Sequence, residues 1–300
     1  MENPYILHMF SPTNNISPFD VNMACDAGYQ VLMPYSGVGL DQIYGLTQDA
    51  IFSRGPNGVK RTGIFIGGRD IGLAADMLDA CRGAMVPPFE VSVFADPSGA
   101  FTTAAALVAC VERQLRKAHN TELEGKTVLV LGGTGPVGTA AAVLASSAGA
   151  KVLVGSHSSA MRARVASEVV NTRYGSSVEP VEAGSNEQKE SLMPQANVIL
   201  CTAKAGIQVL SKAQLQNARS LLVAADVNAV PPAGIEGLGV MDDGKPLGAG
   251  SGKAVGIGAL AIGNVKYLCQ RGLFQRMINT DKPVYLDFRD AFATARDLVA

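Results

Sequence analysis

Six consecutive residues near the middle of the chain carry the plainest chemistry: Gly133, Thr134, Gly135, Pro136, Val137 and Gly138. Their glycines follow the G-x-G-x-x-G pattern of a dinucleotide pyrophosphate site. The first glycine allows a tight turn, the second lets backbone amides approach the phosphates, and the third lets helix and strand touch. The helix that follows offers N–H donors and a partial positive charge to the pyrophosphate. The pattern alone is weak, so its flanks decide. Thr127–Leu131 is a β-branched and leucine run suited to a buried parallel strand. The alanine-rich stretch 139–148 suits a helix packed closely on a sheet, and 151–154 reads as a second strand. Together they make a βαβ unit. The competing reading is a purely structural glycine turn.

Sites selective for NAD place an acid at the end of the second strand, about 20 residues past the glycines, to hold the ribose hydroxyls. Here that place reads Gly155, Ser156, His157, Ser158, Ser159, with no carboxylate. Ser156 and Ser158 can donate to a phosphate, while His157, Arg162 and Arg164 can offer charge. The expectation is NADP, with NAD also accepted. For the arginines, a solvated helix face is an equally good reading. Further on, Thr202 and Ala203 end the fourth strand and are expected to line the cofactor. Asp226 and Asn228 end the fifth, where the nicotinamide carboxamide usually lies.

These residues need a scaffold, and 300 residues suggest about two domains. A 47% hydrophobic share supplies an ample core, and a net charge of −1 with no basic run leaves no electrostatic footprint for nucleic acid or anionic membranes. Five scattered cysteines without C-x-x-C spacing read as free thiols of a reducing cytosol. Three histidines without ligand spacing argue against a metal site. The amino end carries Glu2, Pro4 and His8, with neither a basic region nor an apolar run of signal-peptide kind, and no stretch reaches the length of a membrane span. The expected location is the cytoplasm.

Strands are expected at 5–10, 30–35, 62–66 and 89–95, with helices at 40–51, 71–84 and 102–120 and Asp70 as the cap of the second. The polar stretch 120–126 marks a boundary. Residues 1–120 then form one α/β domain, and 121–270 a Rossmann-like domain with further parallel strands at 198–201 and 221–226. Val230–Gly234 must be a loop. The glycine-rich segment 248–263 is expected to be irregular before a helix from about Asn264, and the end of the chain, 271–300, can return to the first domain. Two α/β domains with a cleft between them are expected, with ligands at the carboxyl ends of the strands.

Several blocks then converge on one family. They are Leu131–Gly138, Ser17–Asn22 (SPFDVN), Phe65–Asp70 (FIGGRD), Thr102–Ala105, Ala225–Pro232 (ADVNAVPP) and Gly258–Gly263. Together they span essentially the whole chain. The sequence resembles the NAD(P)-dependent methylene-tetrahydromethanopterin dehydrogenases of methylotroph-type bacteria. The resemblance implies an N-terminal pterin-binding domain, a Rossmann domain, and oxidation of a methylene carrier to its methenyl form during formaldehyde oxidation. A homo-oligomer is expected, with a small-molecule pterin as substrate. The strictly NADP-dependent branch has an arginine near the second-strand end, where this chain has Ser156 and His157.

The reaction removes hydride from a carbon flanked by two nitrogens and leaves a delocalised cation. The nitrogen lone pairs drive departure, so positioning and electrostatics are what the protein contributes. A carboxylate beside the forming cation lowers the barrier. Asp20 matches the family's Phe-Asp pair, with Phe19 packing on the pterin; the ordinary reading is that Asp20 caps a helix and Phe19 is core. Lys266 matches a family lysine that faces the pterin, and Gln270 replaces the family's histidine one turn later. Asp96, Ser98, Thr102 and Thr103 are candidates for polar contacts to the pterin, with helix capping as the ordinary alternative for the threonines.

Three rivals stay open. One is a methylene-tetrahydrofolate dehydrogenase, one a shikimate- or glutamate-type dehydrogenase, and one a non-catalytic NADP(H) sensor. The Tyr-x-x-x-Lys of the folate enzymes is missing, since Pro56 stands four residues before Lys60, the one lysine of the first 115 residues.

Overall fold

A computed structural model describes residues 3–300; Glu2, part of the non-basic amino end, lies outside the described residues. The chain opens with β1 (Ile6–Ser11), α1 (Pro18–Ala27), β2 (Val31–Ser36), α2 (Ile43–Phe52), α3 (Pro56–Val59), β3 (Thr62–Ile66), α4 (Ile71–Gly83), β4 (Ser92–Ala95) and α5 (Ala100–His119). It continues through β5 (Thr127–Leu131), α6 (Pro136–Ser147), β6 (Lys151–Ser156), α7 (Ala160–Tyr174), β7 (Val178–Glu182), α8 (Asn186–Leu192), β8 (Val198–Cys201), α9 (Lys212–Leu215) and β9 (Val223–Asp226). It ends with β10 (Asp243–Pro246), β11 (Val255–Ile257), α10 (Ala259–Ile278), β12 (Tyr285–Leu286) and α11 (Phe288–Val299).

Two compact units result. The first holds the chain through Thr102 together with Tyr267–Thr294, and the second holds Thr103–Lys266 and Ala295–Ala300. The division falls inside α5 and α10, not in the polar stretch 120–126. That stretch marks only where α5 stops.

The first unit is built on five parallel strands in the order β2-β1-β3-β4-β12. Every residue of β3 and β4 is buried, as a parallel sheet covered on both faces requires. An aromatic cluster ties the carboxyl half of α10 to this sheet. Phe274 lies 5.4 Å from Phe65, 5.2 Å from Phe94 and 6.2 Å from Tyr29 between ring centroids. Such pairs contribute about 0.5–1.5 kcal/mol each beyond simple burial.

The second unit carries seven strands in the order β7-β6-β5-β8-β9-β11-β10. Renumbered within the unit, the parallel part reads 3-2-1-4-5-6, the dinucleotide-binding order, with β10 added antiparallel at the edge. Helix α6 buries Ala140 through Ala145. Small side chains let its axis approach the strands.

Three local differences from the sequence reading have physical causes. The expected helix over 40–51 begins as a 3-10 turn at Leu40–Gln42 before Ile43 continues it as α-helix. The segment 248–263 is not irregular throughout: β11 pairs with β9, and α10 begins at Ala259. Gly256 fits because a Cβ there would meet Leu238 Cδ1 at 2.2 Å. The two-residue β12 finds its partner β4 from almost 200 positions away, a pairing no local pattern encodes.

Candidate active site

In each sheet the strand order reverses once, and beyond the carboxyl ends at that point a ligand crevice is expected. In the first sheet the reversal lies between β1 and β3. A cavity of about 540 Å³ opens there, lined by 13–18 after β1, by Asp20, by 67–69 after β3 and by Ser98 after β4.

The chain reaches this cavity through tightly determined turns. Ser17 caps α1, its hydroxyl accepting from Phe19 N at 3.2 Å, and Pro18 fills the first helical position. Asp20 therefore does not cap the helix. Its carboxylate is 3% exposed, and Gln270 Nε2 donates to its Oδ1 at 2.8 Å. Phe19 is 43% exposed, so it is not core. Lys266 lies on α10 at 9% exposure, one turn before Gln270 and on the same helix face.

On the β3 side, Gly68 has φ 107°, and a Cβ there would meet the Pro12 ring at 2.9 Å. Asp70 caps α4 as expected, accepting from Gly72 N at 2.8 Å and Leu73 N at 3.0 Å. Ser98 sits at φ 54°, a left-handed conformation rare outside glycine, and its hydroxyl donates to Gly68 O at 2.7 Å.

Asp96 and Thr102 take a different part from the pterin contact expected of them. Both are fully buried. Asp96 Oδ1 accepts from Phe101 N and Thr102 N, and Oδ2 from the Thr102 hydroxyl at 2.6 Å. They close the first turn of α5 and hold the loop that carries Ser98. Thr103 follows on the same helix, half-buried.

In the second sheet the reversal lies between β5 and β8, and a cavity of about 370 Å³ occupies it. Of the predicted residues, Thr134, Gly135, His157, Arg162, Thr202 and Ala203 line it. The glycines divide by function. A Cβ at Gly132 would meet Ala203 N at 2.6 Å, one at Gly133 would meet Val154 Cγ1 at 2.8 Å, and one at Gly138 would meet Gly132 O at 2.5 Å. Those three are required by the fold's own packing. Gly135 differs: a Cβ there would meet only Gly132 O, at an ordinary 3.4 Å. Gly135 lines the cavity, and the space beside it is open. Gly135 is the N-cap of α6 and makes no side-chain cap bond, which leaves the first-turn N–H groups beyond Pro136 open to an anion. These residues fit a dinucleotide pyrophosphate.

At the end of β6, Ser156 is buried and its hydroxyl lies 3.2 Å from that of Ser158. Arg162 Nη1 donates to Ser158 Oγ at 3.4 Å. Arg164 instead pairs with Glu168 at 2.8 Å on an exposed face, so of the two arginines it is the solvated one. No Asp or Glu stands among the described residues lining this cavity.

Asp226, at the end of β9, and Asn228, just beyond it, have their side chains engaged by the chain itself. Asp226 is buried and gives both oxygens to the chain: Oδ1 accepts from Asn228 N, and Oδ2 from Gly234 N at 2.7 Å and Ile235 N. Burial pushes its carboxyl above the usual range, while those amides pull it back. Asn228 Oδ1 accepts from Gly206 N and Val230 N, and its Nδ2 donates to Pro232 O. Their side chains shape the Val230–Gly234 loop, and neither lines the cavity.

Sequence reasoning missed Lys189 and Lys204, which both line the second cavity. Lys189 Nζ donates to Val209 O at 2.7 Å and so ties α8 to the loop after β8. A lysine on a short polar helix gives no local sign of this. In the sequence Gln270 reads only as a replacement; its donation to Asp20 appears in the tertiary structure alone.

Residues 18–98 match the family described as "Methylene-tetrahydromethanopterin dehydrogenase, N-terminal". Over 293 residues the chain is 47% identical to the NAD(P)-dependent methylenetetrahydromethanopterin dehydrogenase of Methylorubrum extorquens, covering 98% of each. The chain belongs to this dehydrogenase family. It is also 31% identical over 293 residues to the Bifunctional protein MdtA of the same bacterium, again over 98% of each. Among solved structures, quinate dehydrogenase from Corynebacterium glutamicum in complex with NAD aligns over 98% of this chain and 99% of its own, with a TM-score of 0.54 and 13% identity. That likeness is one of fold. Among the described residues no helix is long and apolar enough to cross a membrane, and no cluster of metal-ligand side chains exists.

Proposed function

We propose that the protein oxidises N5,N10-methylene-tetrahydromethanopterin to the methenyl form, with NAD(P)+ as hydride acceptor, in one-carbon metabolism. The observation that carries this reading is the 47% identity to a dehydrogenase of that name over 98% of the chain. Bound NAD(P)+ supplies an electron-poor ring carbon that takes the hydride. The chain's own residues do the rest. The buried Asp20 carboxylate offers a fixed negative charge to the cation that develops as hydride leaves. Gln270 holds that carboxylate by its Oδ1, and Phe19 offers an exposed ring for the pterin to pack on. Lys266 orients the pterin. No general base is required.

For the cofactor, the open turn at Gly133–Gly138 takes the pyrophosphate, and Thr202 and Ala203 line its path. The missing acid after β6 and the Arg162–Ser158 pair support NADP, with NAD as a second substrate. The uncrosslinked cysteines support a reducing cytoplasm, and exposed apolar side chains such as Met33 and Tyr44 support a homo-oligomer.

The test is a spectrophotometric assay of purified protein with formaldehyde and tetrahydromethanopterin, run with NADP and with NAD, and repeated with tetrahydrofolate. Nicotinamide reduction with the methanopterin carrier is expected. Activity with folate alone assigns the chain to the folate reaction instead, and NADP binding without turnover on either carrier assigns it to sensing.

A further inference from the structure

Among the described residues that line the first cavity, Arg69 is the one cation and Asp20 the one acid. The two differ in setting: Asp20 is buried, while Arg69 is exposed. Among the described residues the Arg69 guanidinium has no hydrogen-bond or ion-pair partner. An unpaired arginine is commonplace on a surface. This one stands on backbone that is held from both sides. The preceding Gly68 is left-handed and pressed against Pro12, its carbonyl is gripped by the strained Ser98, and the following Asp70 locks the start of α4. Strained conformations of the Ser98 kind cost of order 1–3 kcal/mol and persist at ligand sites where the surrounding structure imposes them.

We infer that Arg69 is a specificity residue of the substrate site, taking an anionic group, carboxylate or phosphate, on the side chain of the reduced pterin carrier. This rests on the dehydrogenase reading above. The cavity then divides its work. Asp20 meets the cation that forms at the reacting carbon, and Arg69 meets the anion remote from it. The planar guanidinium fork matches either anion with two parallel hydrogen bonds, which a lysine does not reproduce. Because the contact is equal in the ground and transition states, it lowers KM and leaves kcat unchanged.

The experiment compares the native chain with Arg69→Ala and Arg69→Lys on two substrates: intact tetrahydromethanopterin, and a truncated pterin carrier stripped of its acidic side chain. Steady-state kinetics are paired with calorimetric binding of each carrier. For Arg69→Ala on the intact carrier, KM and Kd are expected to rise about 10- to 100-fold with kcat kept, as for loss of hydrogen bonds to a charged group. On the truncated carrier the native chain and the variant should coincide, and Arg69→Lys should recover part of the loss. Equal KM for native and variant on the intact carrier overturns the inference. So does an equal rise on both carriers, or a fall in kcat alone. A native chain that neither binds nor turns over the methanopterin carrier removes the dehydrogenase reading itself, and this assignment with it.

Discussion

Gln270 donates its side-chain amide to the Asp20 carboxylate at 2.8 Å across 250 positions of sequence, and both side chains are buried. A buried carboxylate needs donors, and hydrogen bonds to charged groups are worth about 1.5–3 kcal/mol. Gln270→Leu removes one donor and leaves the volume nearly constant. The expected result is a kcat lowered about 10-fold with KM nearly unchanged, because Gln270 acts through Asp20 and does not touch substrate. A Gln270→Leu enzyme with a raised KM and native kcat would show that the amide faces the substrate.

Asp20→Asn keeps shape and removes charge. Turnover should fall by about 10²–10³, the usual cost of losing one electrostatic group aimed at developing charge. NADP affinity, measured by fluorescence titration, should stay native, since Asp20 lies outside the cofactor cavity. Unchanged turnover would sink the electrostatic role.

The glycines make a paired prediction. A Cβ at Gly135 meets only Gly132 O, at 3.4 Å, so Gly135→Val should keep a melting temperature near native and lose NADP binding. Gly138→Val drives a side chain into Gly132 O and the Gly133 backbone, so it should unfold at markedly lower temperature. Thermal melts and cofactor titrations of the two variants separate ligand clearance from packing.

Cofactor choice is expected to depend on Arg162 and not on Arg164. Arg162→Ala should weaken NADP about 10-fold and leave NAD untouched, as for one charge-assisted contact to a phosphate. Arg164→Ala, whose guanidinium is engaged with Glu168 at the surface, should change neither Km. Parallel losses for both cofactors in Arg162→Ala would show that it contacts the shared part of the dinucleotide.

Stability should respond to pH through His8 on β1. Burial, aided by the charge of Arg54, lowers its pKa below 6.5 in the folded state. Between the folded value and 6.5 the unfolded chain binds the proton and the folded one does not. Stability is therefore full above about 6.5 and is lost as pH falls through that window, by at most about 1.4 kcal/mol per pH unit. Denaturant titrations from pH 7 downward should show this slope in the native chain and a flatter one in His8→Gln. Identical slopes would assign the effect elsewhere.

Much of the scaffold is legible locally. The run Thr127–Leu131, the glycines after it and the alanines of α6 announce a βαβ unit because strand, turn and helix preferences are set by neighbours a few residues apart. The same holds for Asp70, whose capping bonds reach only two and three residues on. Asp226 and Asn228 show the complementary limit. Their place at a strand end is legible, but whether their oxygens face a ligand or the chain depends on where the Val230–Gly234 loop turns back.

The two α/β halves, the glycine turn and the absence of an acid after β6 can be read from short-range spacing and residue type. Which groups are already engaged depends on long-range packing. It gave Asp96 to Thr102, Asp226 to Gly234, Lys189 to Val209 and Asp20 to Gln270, and it left Arg69 unpaired at the edge of a cavity. Those pairings join positions from 6 to 250 residues apart. A buried polar group must find a partner wherever the packed chain brings one, and sequence distance does not limit that choice.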